Sequence, residues 1–287
     1  MKLKAQWLPD LSAEDYYADR VLDVPTLNYS TAALMVNRSS RHAWHSHPRL
    51  GGKPSPAGDG AMSGIILHNL ILEGGRDVVT LDYDDFRSKA AKEERDELLA
   101  LRKIPVLKSK LEPYAEAALN FSRNALEFGI NLVSVGRREA TIHWQERSRH
   151  GLVDCRARLD AVVEAIVYDI KTTSGSAHPD ACARRIYERG YHIQASAYRR
   201  AVERVEPDLV GRVKFVFLFF ETEPPYSVVP LTPSGALREL GDRDWERAVE
   251  KWAECRKNDR WPGYVSGIEQ VDPLPWALSR DLDQEAA

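Results

Sequence analysis

The stretch from Leu152 to Thr173 constrains this chain more than any other. It reads as two strands, 152–163 and 166–172, joined by a short turn around Glu164 and Ala165. Side chains on a strand alternate between faces. On the first strand Val153, Cys155, Ala157 and Leu159 make an apolar face, and Asp154, Arg156, Arg158 and Asp160 share the opposite one. On the second, Asp169 and Lys171 point one way, while Ile166, Tyr168 and Ile170 point into a core. Such a hairpin sets Asp160 beside Asp169. Two carboxylates held close repel each other unless a cation lies between them. The cation that suits oxygen donors is hard, magnesium or manganese.

Lys171 beside that ion fits a reaction whose transition state gains negative charge on oxygen, as phosphodiester hydrolysis does. An Asp-x-Lys on a strand is, by itself, usually a solvated ion pair, so the reading rests on its company. The face shared by Asp154, Arg156, Arg158 and Asp160 is too charged for a core, and its two arginines suit phosphate.

The flanking sequence gives helices first and a sheet second. Residues 1–29 are polar and punctuated by proline, an irregular arm. Ser30 is placed to cap a short helix ending at Asn37. Residues 41–60, rich in His, Gly, Pro and Ser, read as a mobile loop. A helix over 61–72 ends at Gly74-Gly75 and carries His68 among Ile65, Ile66 and Leu72. A charged helix over 84–102 stops before Pro105. The next, over 109–128, keeps Leu111, Tyr114, Ala118, Phe121 and Ala125 on one side. Strand 138–145 alternates with Ala140, Ile142 and Trp144 on one face. Helices follow from Pro179 and over 191–205. Strand 213–220 is almost wholly apolar, as expected for one buried on both faces. A strand over 226–231 and a helix over 235–258 close the pattern. This predicts an α/β or α+β chain with a mixed central sheet flanked by helices, one domain over 30–265, and a tail over 266–287.

Composition narrows the class. No apolar run approaches the roughly 20 residues that span a bilayer, and the first residues lack the apolar core of a signal peptide. Cys155, Cys182 and Cys255 are too scattered for a disulfide framework or a zinc knuckle, which predicts a reducing, cytoplasmic setting. The net charge of −3 excludes a chain coated in basic charge. Arginines nevertheless cluster at Arg137, Arg138, Arg147, Arg149, Arg156 and Arg158, then at Arg184, Arg185, Arg189, Arg199 and Arg200, while acids concentrate near 82–85, 93–97 and 281–285. Local fields of that kind bind phosphate whatever the total.

Four pieces in order carry a resemblance: Gly64 to Gly74 with His68, Cys155 to Asp160, Asp169-Ile170-Lys171-Thr172-Thr173, and Gly190 to Tyr198 with Gln194 and Tyr198 four apart. Over 25–265 the chain resembles the RecB-like branch of the PD-(D/E)xK nuclease superfamily, most of all the phage and prophage exodeoxyribonuclease VIII (RecE) type. The resemblance implies a restriction-endonuclease-like core with an N-terminal helical part. It implies that His68, Asp160, Asp169 and the carbonyl of Ile170 hold magnesium, with manganese as substitute. Lys171 would polarise the attacking water, and Gln194 and Tyr198 would shape the site and hold the DNA strand. Glu73 and Glu139 are outer carboxylates in this reading, and Arg156 and Arg158 contact DNA.

The implied activity is hydrolysis of linear double-stranded DNA from its 5′ end in phage-type recombination. The implied partners are DNA ends, a single-strand annealing protein and further copies of the chain in a ring. Relatives that hold an iron–sulfur cluster use four cysteines; three scattered ones predict none. The absence of a Gly-x-x-x-x-Gly-Lys-Ser/Thr loop predicts no need for ATP. The alternatives are an endonuclease on the same fold and a non-catalytic DNA-end binding protein. His192, beside Gln194, is either structural or in contact with DNA.

Overall fold

The computed structural model describes residues 3–52, 59–132 and 136–273. A six-stranded sheet runs in the order β1 (Ala5–Leu8), β4 (Arg137–Ser148), β5 (Gly151–Val163), β6 (Ile166–Thr173), β7 (Lys214–Glu221), β8 (Val228–Leu231). Every pairing is antiparallel except β6 with β7. The two crossover helices between these parallel strands are α7 (Pro179–Glu188) and α8 (Tyr191–Val205). A parallel pair needs such a connection.

Two apolar layers sandwich the sheet. On one side α2 (Tyr29–Asn37), α8 and α9 (Gly235–Asn258) cover Ile142, Trp144, Cys155, Val167, Phe215, Phe217 and Phe219. On the other, α4 (Asp59–Glu73) and α6 (Lys108–Leu126) cover Ala161, Ile170, Leu218 and Phe220. Strand β7 therefore buries both faces, as its unbroken apolar run requires. The mixed sheet flanked by helices is the expected fold class.

Several expectations change. The segment 1–29 is not an irregular arm. It supplies β1 and α1 (Ala13–Tyr17), and its Leu27 bridges to Cys155. Helix α2 is capped by Asn28, whose side chain accepts the Thr31 N–H, and not by Ser30. Part of the expected loop is helix α3 (Ser40–Ser46), while 53–58 lie outside the described residues. The charged helix is shorter, α5 (Lys89–Ala100), with Ser88 as its cap. It sits between β2 (Val78–Leu81) and β3 (Ile104–Leu107), which pair in parallel and which the sequence reading missed. Pro105 lies inside β3, an edge strand where a missing N–H costs no ladder bond. The acidic stretch 281–285 lies outside the described residues.

Candidate active site

Strands β5 and β6 separate after the pair Ala161↔Tyr168. Where the next rung would form, Asp160 Oδ2 accepts the Ile170 N–H at 2.7 Å. Strand β4 deforms at the same level. Arg138 pairs with Ala161 and Ala140 with Leu159, so Glu139 lies across from Asp160, with a left-handed φ of 46°. That conformation is strained for a side chain with a Cβ. It sets two carboxylates opposite each other, which is destabilising in a plain sheet.

From the far side, α4 brings His68. Its Nε2 lies 3.2 Å from the Ile170 carbonyl oxygen. A carbonyl oxygen only accepts, so Nε2 carries the proton and Nδ1 keeps its lone pair, 3.7 Å from Asp160 Oδ2. A metal-binding imidazole is commonly held through its other N–H in this way. Burial lowers the His68 pKa, which keeps the ring neutral. One ligand atom each from His68, Glu139 and Asp160 lie within 4.8 Å of one another.

Asp169 and Lys171 form the second half of the site. Asp169 is 1% exposed. Its Oδ1 accepts Gln194 Nε2 at 2.6 Å and its Oδ2 faces Lys171 Nζ at 2.5 Å. Lys171 Nζ also lies 4.2 Å from the centre of the Tyr191 ring. Burial works against the ammonium, but the Asp169 charge and the phenols of Tyr29 and Tyr191 outweigh it, and the Lys171 pKa is raised. Burial, and next the charge of Asp169, push Asp160 up to about 8. Burial and the Asp160 charge raise Glu139, although Arg158 Nε donates to it at 2.7 Å. The site thus gathers three carboxyl groups around two cations, Lys171 and Arg158, and burial opposes ionising all three. The donor set, one neutral imidazole and two carboxylates, fits a hard divalent ion. A fourth group points the same way: Gln194 Oε1 is buried and has no hydrogen-bond partner.

The expected residues therefore divide. His68, Asp160, Asp169, Lys171, Gln194 and Tyr198 line one cleft of about 670 Å³, as do Glu73, Glu139 and Ile170. Within it the ligand atoms of His68, Glu139 and Asp160 lie close enough to share an ion, while Asp169, expected as a ligand, has Oδ1 on Gln194 and Oδ2 against Lys171, the latter with no hydrogen-bond partner. The Ile170 carbonyl accepts from His68 and holds the imidazole in place. Glu73 is taken up by Arg76 and Asn69. Tyr198 is buried edge-on against Tyr29, with ring centres 5.8 Å apart. His192 is structural, buried with Nε2 3.0 Å from Asp244 Oδ2.

The two expected DNA contacts change most. Arg156 is 1% exposed. It pairs with Asp19 at 2.8 Å and donates to the carbonyls of Thr26 and Tyr16, stapling the N-terminal segment onto β5. The charged face of β5 is thus a buried polar interface, and Arg156 cannot reach DNA in this fold. Arg158 is mostly covered and committed to Glu139, the Leu11 carbonyl and Thr141. Three members of the wider arginine cluster are likewise engaged within the fold. Arg137 stacks on Trp7, and Arg199 and Arg200 pair with acids on α9.

Sequence reasoning missed Tyr29 and Tyr191. Tyr191 had a signal, since it stands three and seven residues before Gln194 and Tyr198, on one helix face. Tyr29 lay in a segment that carried none.

Comparison with solved structures supports the architecture. A crystal structure of a "putative exonuclease" from Eubacterium rectale superposes with a TM-score of 0.62 at 11% identity, covering 94% of this chain and 98% of that one. At that identity the likeness shows the fold alone. A phage related exonuclease from Haemophilus somnus gives a TM-score of 0.32 at 12% identity, over 82% of this chain and 96% of that one. No curated protein matches the sequence. Among the described residues no helix is long and apolar enough to cross a membrane. Residues 106–272, which include the β5–β6 hairpin and the Gln194–Tyr198 helix, match the model of one family, and the chain belongs to it: the PDDEXK-like domain of unknown function DUF3799.

Proposed function

We propose that this protein is a magnesium-dependent DNA nuclease, acting as an exonuclease on linear duplex DNA, and that phage-type recombination is its setting. One observation carries the reading. Asp160, Asp169 and Lys171 of the hairpin meet His68, Glu139 and Gln194 in a single cleft, where burial and mutual repulsion oppose ionising all three carboxyls. No packing need explains that crowding of carboxyls, and a bound cation would let all three ionise.

His68, Glu139 and Asp160 would hold the metal, with Asp169 adjoining. When bound, the ion acts as a Lewis acid on the phosphate and lowers the pKa of water. The residues do the rest. His68 offers Nδ1 because its Nε2–H is tied to Ile170. Lys171, kept protonated by Asp169, is a cation and not a base. It would steady charge developing on a phosphate oxygen. Gln194, anchored through Nε2, leaves Oε1 free to accept a hydrogen bond from an incoming water and so to orient it. Exonuclease specificity, the 5′ to 3′ direction and the annealing-protein partner rest on the resemblance of the four ordered motifs.

The test uses end-labelled linear duplex and covalently closed circular DNA, with magnesium or with chelator, beside Asp169→Ala. Loss of linear DNA alone, with magnesium and unmutated protein only, supports the exonuclease. Cutting of the circle replaces it with an endonuclease. No cutting, with binding retained, refutes the catalytic reading.

A further inference from the structure

Helix α1 presents an aromatic side chain that folding does not explain. Tyr17 is 69% exposed, whereas its neighbour Tyr16 is 4% exposed. The two rings meet edge to face with centres 5.3 Å apart. Tyr16 is itself fixed, with the buried Arg156 guanidinium 5.4 Å from its ring centre and its carbonyl accepting from Arg156. The helix is pinned at its start by the Ser12 cap on the Asp15 N–H, and Arg20 ties to Glu14 and Asp15. Tyr17 therefore stands on a rigid mount.

Its location gives the exposure a meaning. Tyr17 lines the same cleft as His68, Asp160 and Lys171. Its ring is open to water on the side of the cleft that carries Glu139 and Asp160. What Tyr17 offers the cleft is a π-face. The cleft volume, about 670 Å³, lies in the range of roughly 300–1,000 Å³ that holds one small-molecule-sized group. That is room for a nucleotide or two beside the carboxylates. Every base has a π-face, and base–aromatic stacking is the usual way to hold an unpaired strand without reading its sequence.

We infer that Tyr17 is a positioning residue that stacks on an unpaired base next to the scissile phosphate, beside the metal site of His68, Glu139 and Asp160. The inference rests on the nuclease reading and names the form of its substrate: a strand separated from its complement at the cleft. Tyr17 then sets how readily frayed and single-stranded ends are accepted relative to blunt ones.

The probe is a short single strand carrying 2-aminopurine at its terminal nucleotide, titrated with unmutated protein and with Tyr17→Ala, Tyr17→Leu, Tyr17→Phe and Tyr17→Trp, all with calcium in place of magnesium. Binding should quench the probe. The Ala and Leu variants should bind about fivefold or more weakly, from the energy of one stacked base, and lose the quench. The Phe and Trp variants should keep both. Leu retains apolar bulk, so a Leu–Phe difference separates stacking from simple packing, and unchanged melting temperatures are expected for an exposed position. Binding and quenching by Tyr17→Ala equal to the unmutated protein would overturn the inference, as would no binding of the single strand at all. The same samples with magnesium and end-labelled DNA separate the two readings. Cleavage with no Tyr17 dependence of binding removes the inference alone. Tyr17-dependent quenching without cleavage keeps the stacking and removes the nuclease.

Discussion

Magnesium should displace a proton from Asp160, and the size of that effect follows from the site. Without metal, burial and the neighbouring Asp169 hold Asp160 up to about 8 against an ordinary 3.8. The ion binds the carboxylate, so apparent affinity falls by a factor of 1 + 10^(8−pH) below its plateau. That is about 10-fold at pH 7 and about 100-fold at pH 6, with little change above pH 9. The proton also sets the sign of metal-free stability. A group whose folded pKa is raised contributes stability that is complete below its unfolded value and is lost as pH rises through its folded value. In chelator, this contribution therefore declines from about pH 4 to about pH 8, and magnesium offsets the loss most at the alkaline end. Calorimetric titration from pH 6 to 9, in buffers of different ionisation enthalpy, measures both affinity and protons released. Asp169→Asn removes the neighbouring charge and should move the profile to lower pH, while burial, the larger cause, keeps it above the ordinary carboxylate range. Affinity that is flat between pH 6 and 9, with no proton released, would refute the argument and place the metal elsewhere.

Three further outcomes are expected. Arg156→Met leaves Asp19 buried without its cation, and breaking such a pair costs about 3–5 kcal/mol; a lowered melting temperature and protease cleavage within residues 3–27 would show it, and unchanged stability with weakened DNA binding would restore its role as a DNA contact. Lys171→Ala should abolish cleavage and keep the magnesium-induced rise in melting temperature, so loss of that rise would mean the lysine holds the metal site together. His68→Ala should raise the magnesium needed for half-maximal activity by at least about tenfold; an unchanged requirement with a lower melting temperature would make it a core residue.

What the sequence made legible was local. The hairpin was readable because its alternation runs for 21 residues with only Glu164 and Ala165 between the strands, and Glu164 does take the left-handed conformation, φ 53°, that such a turn needs. Strand β7 was readable because burial on both faces leaves no polar position. Strands β2 and β3, four residues each, were not, since alternation over four residues is indistinguishable from chance and Pro105 argued against a strand. The fate of the charged β5 face depended on a partner more than 130 residues away, Asp19 for Arg156, and no spacing within β5 signals it. Glu139 was closer to hand. The turn between Ser148 and Gly151 fixes the β4–β5 register, and counting back along it places Glu139 across from Asp160.

The covering of that polar face links the fold to the site. Strands β4 and β5 turn Thr141, His143, Gln145, Asp154, Arg156 and Arg158 toward the same side as Glu139 and Asp160, by alternation and register. Left open, this row would hydrate both carboxylates, and the burial that raises their pKa values would be lost. The N-terminal segment closes it with groups that match: Asp19 for Arg156, the Thr26 carbonyl for Arg156 and His47, and the Leu11 carbonyl for Arg158. Each buried donor so satisfied avoids a desolvation cost of about 1–3 kcal/mol. The same segment carries Tyr17 and Tyr29 to the cleft. The arm that dries the carboxylates is therefore also the arm that builds the opposite wall, and a cation drawn to the crowded carboxyls has its substrate's path shaped by the element that created the need for it.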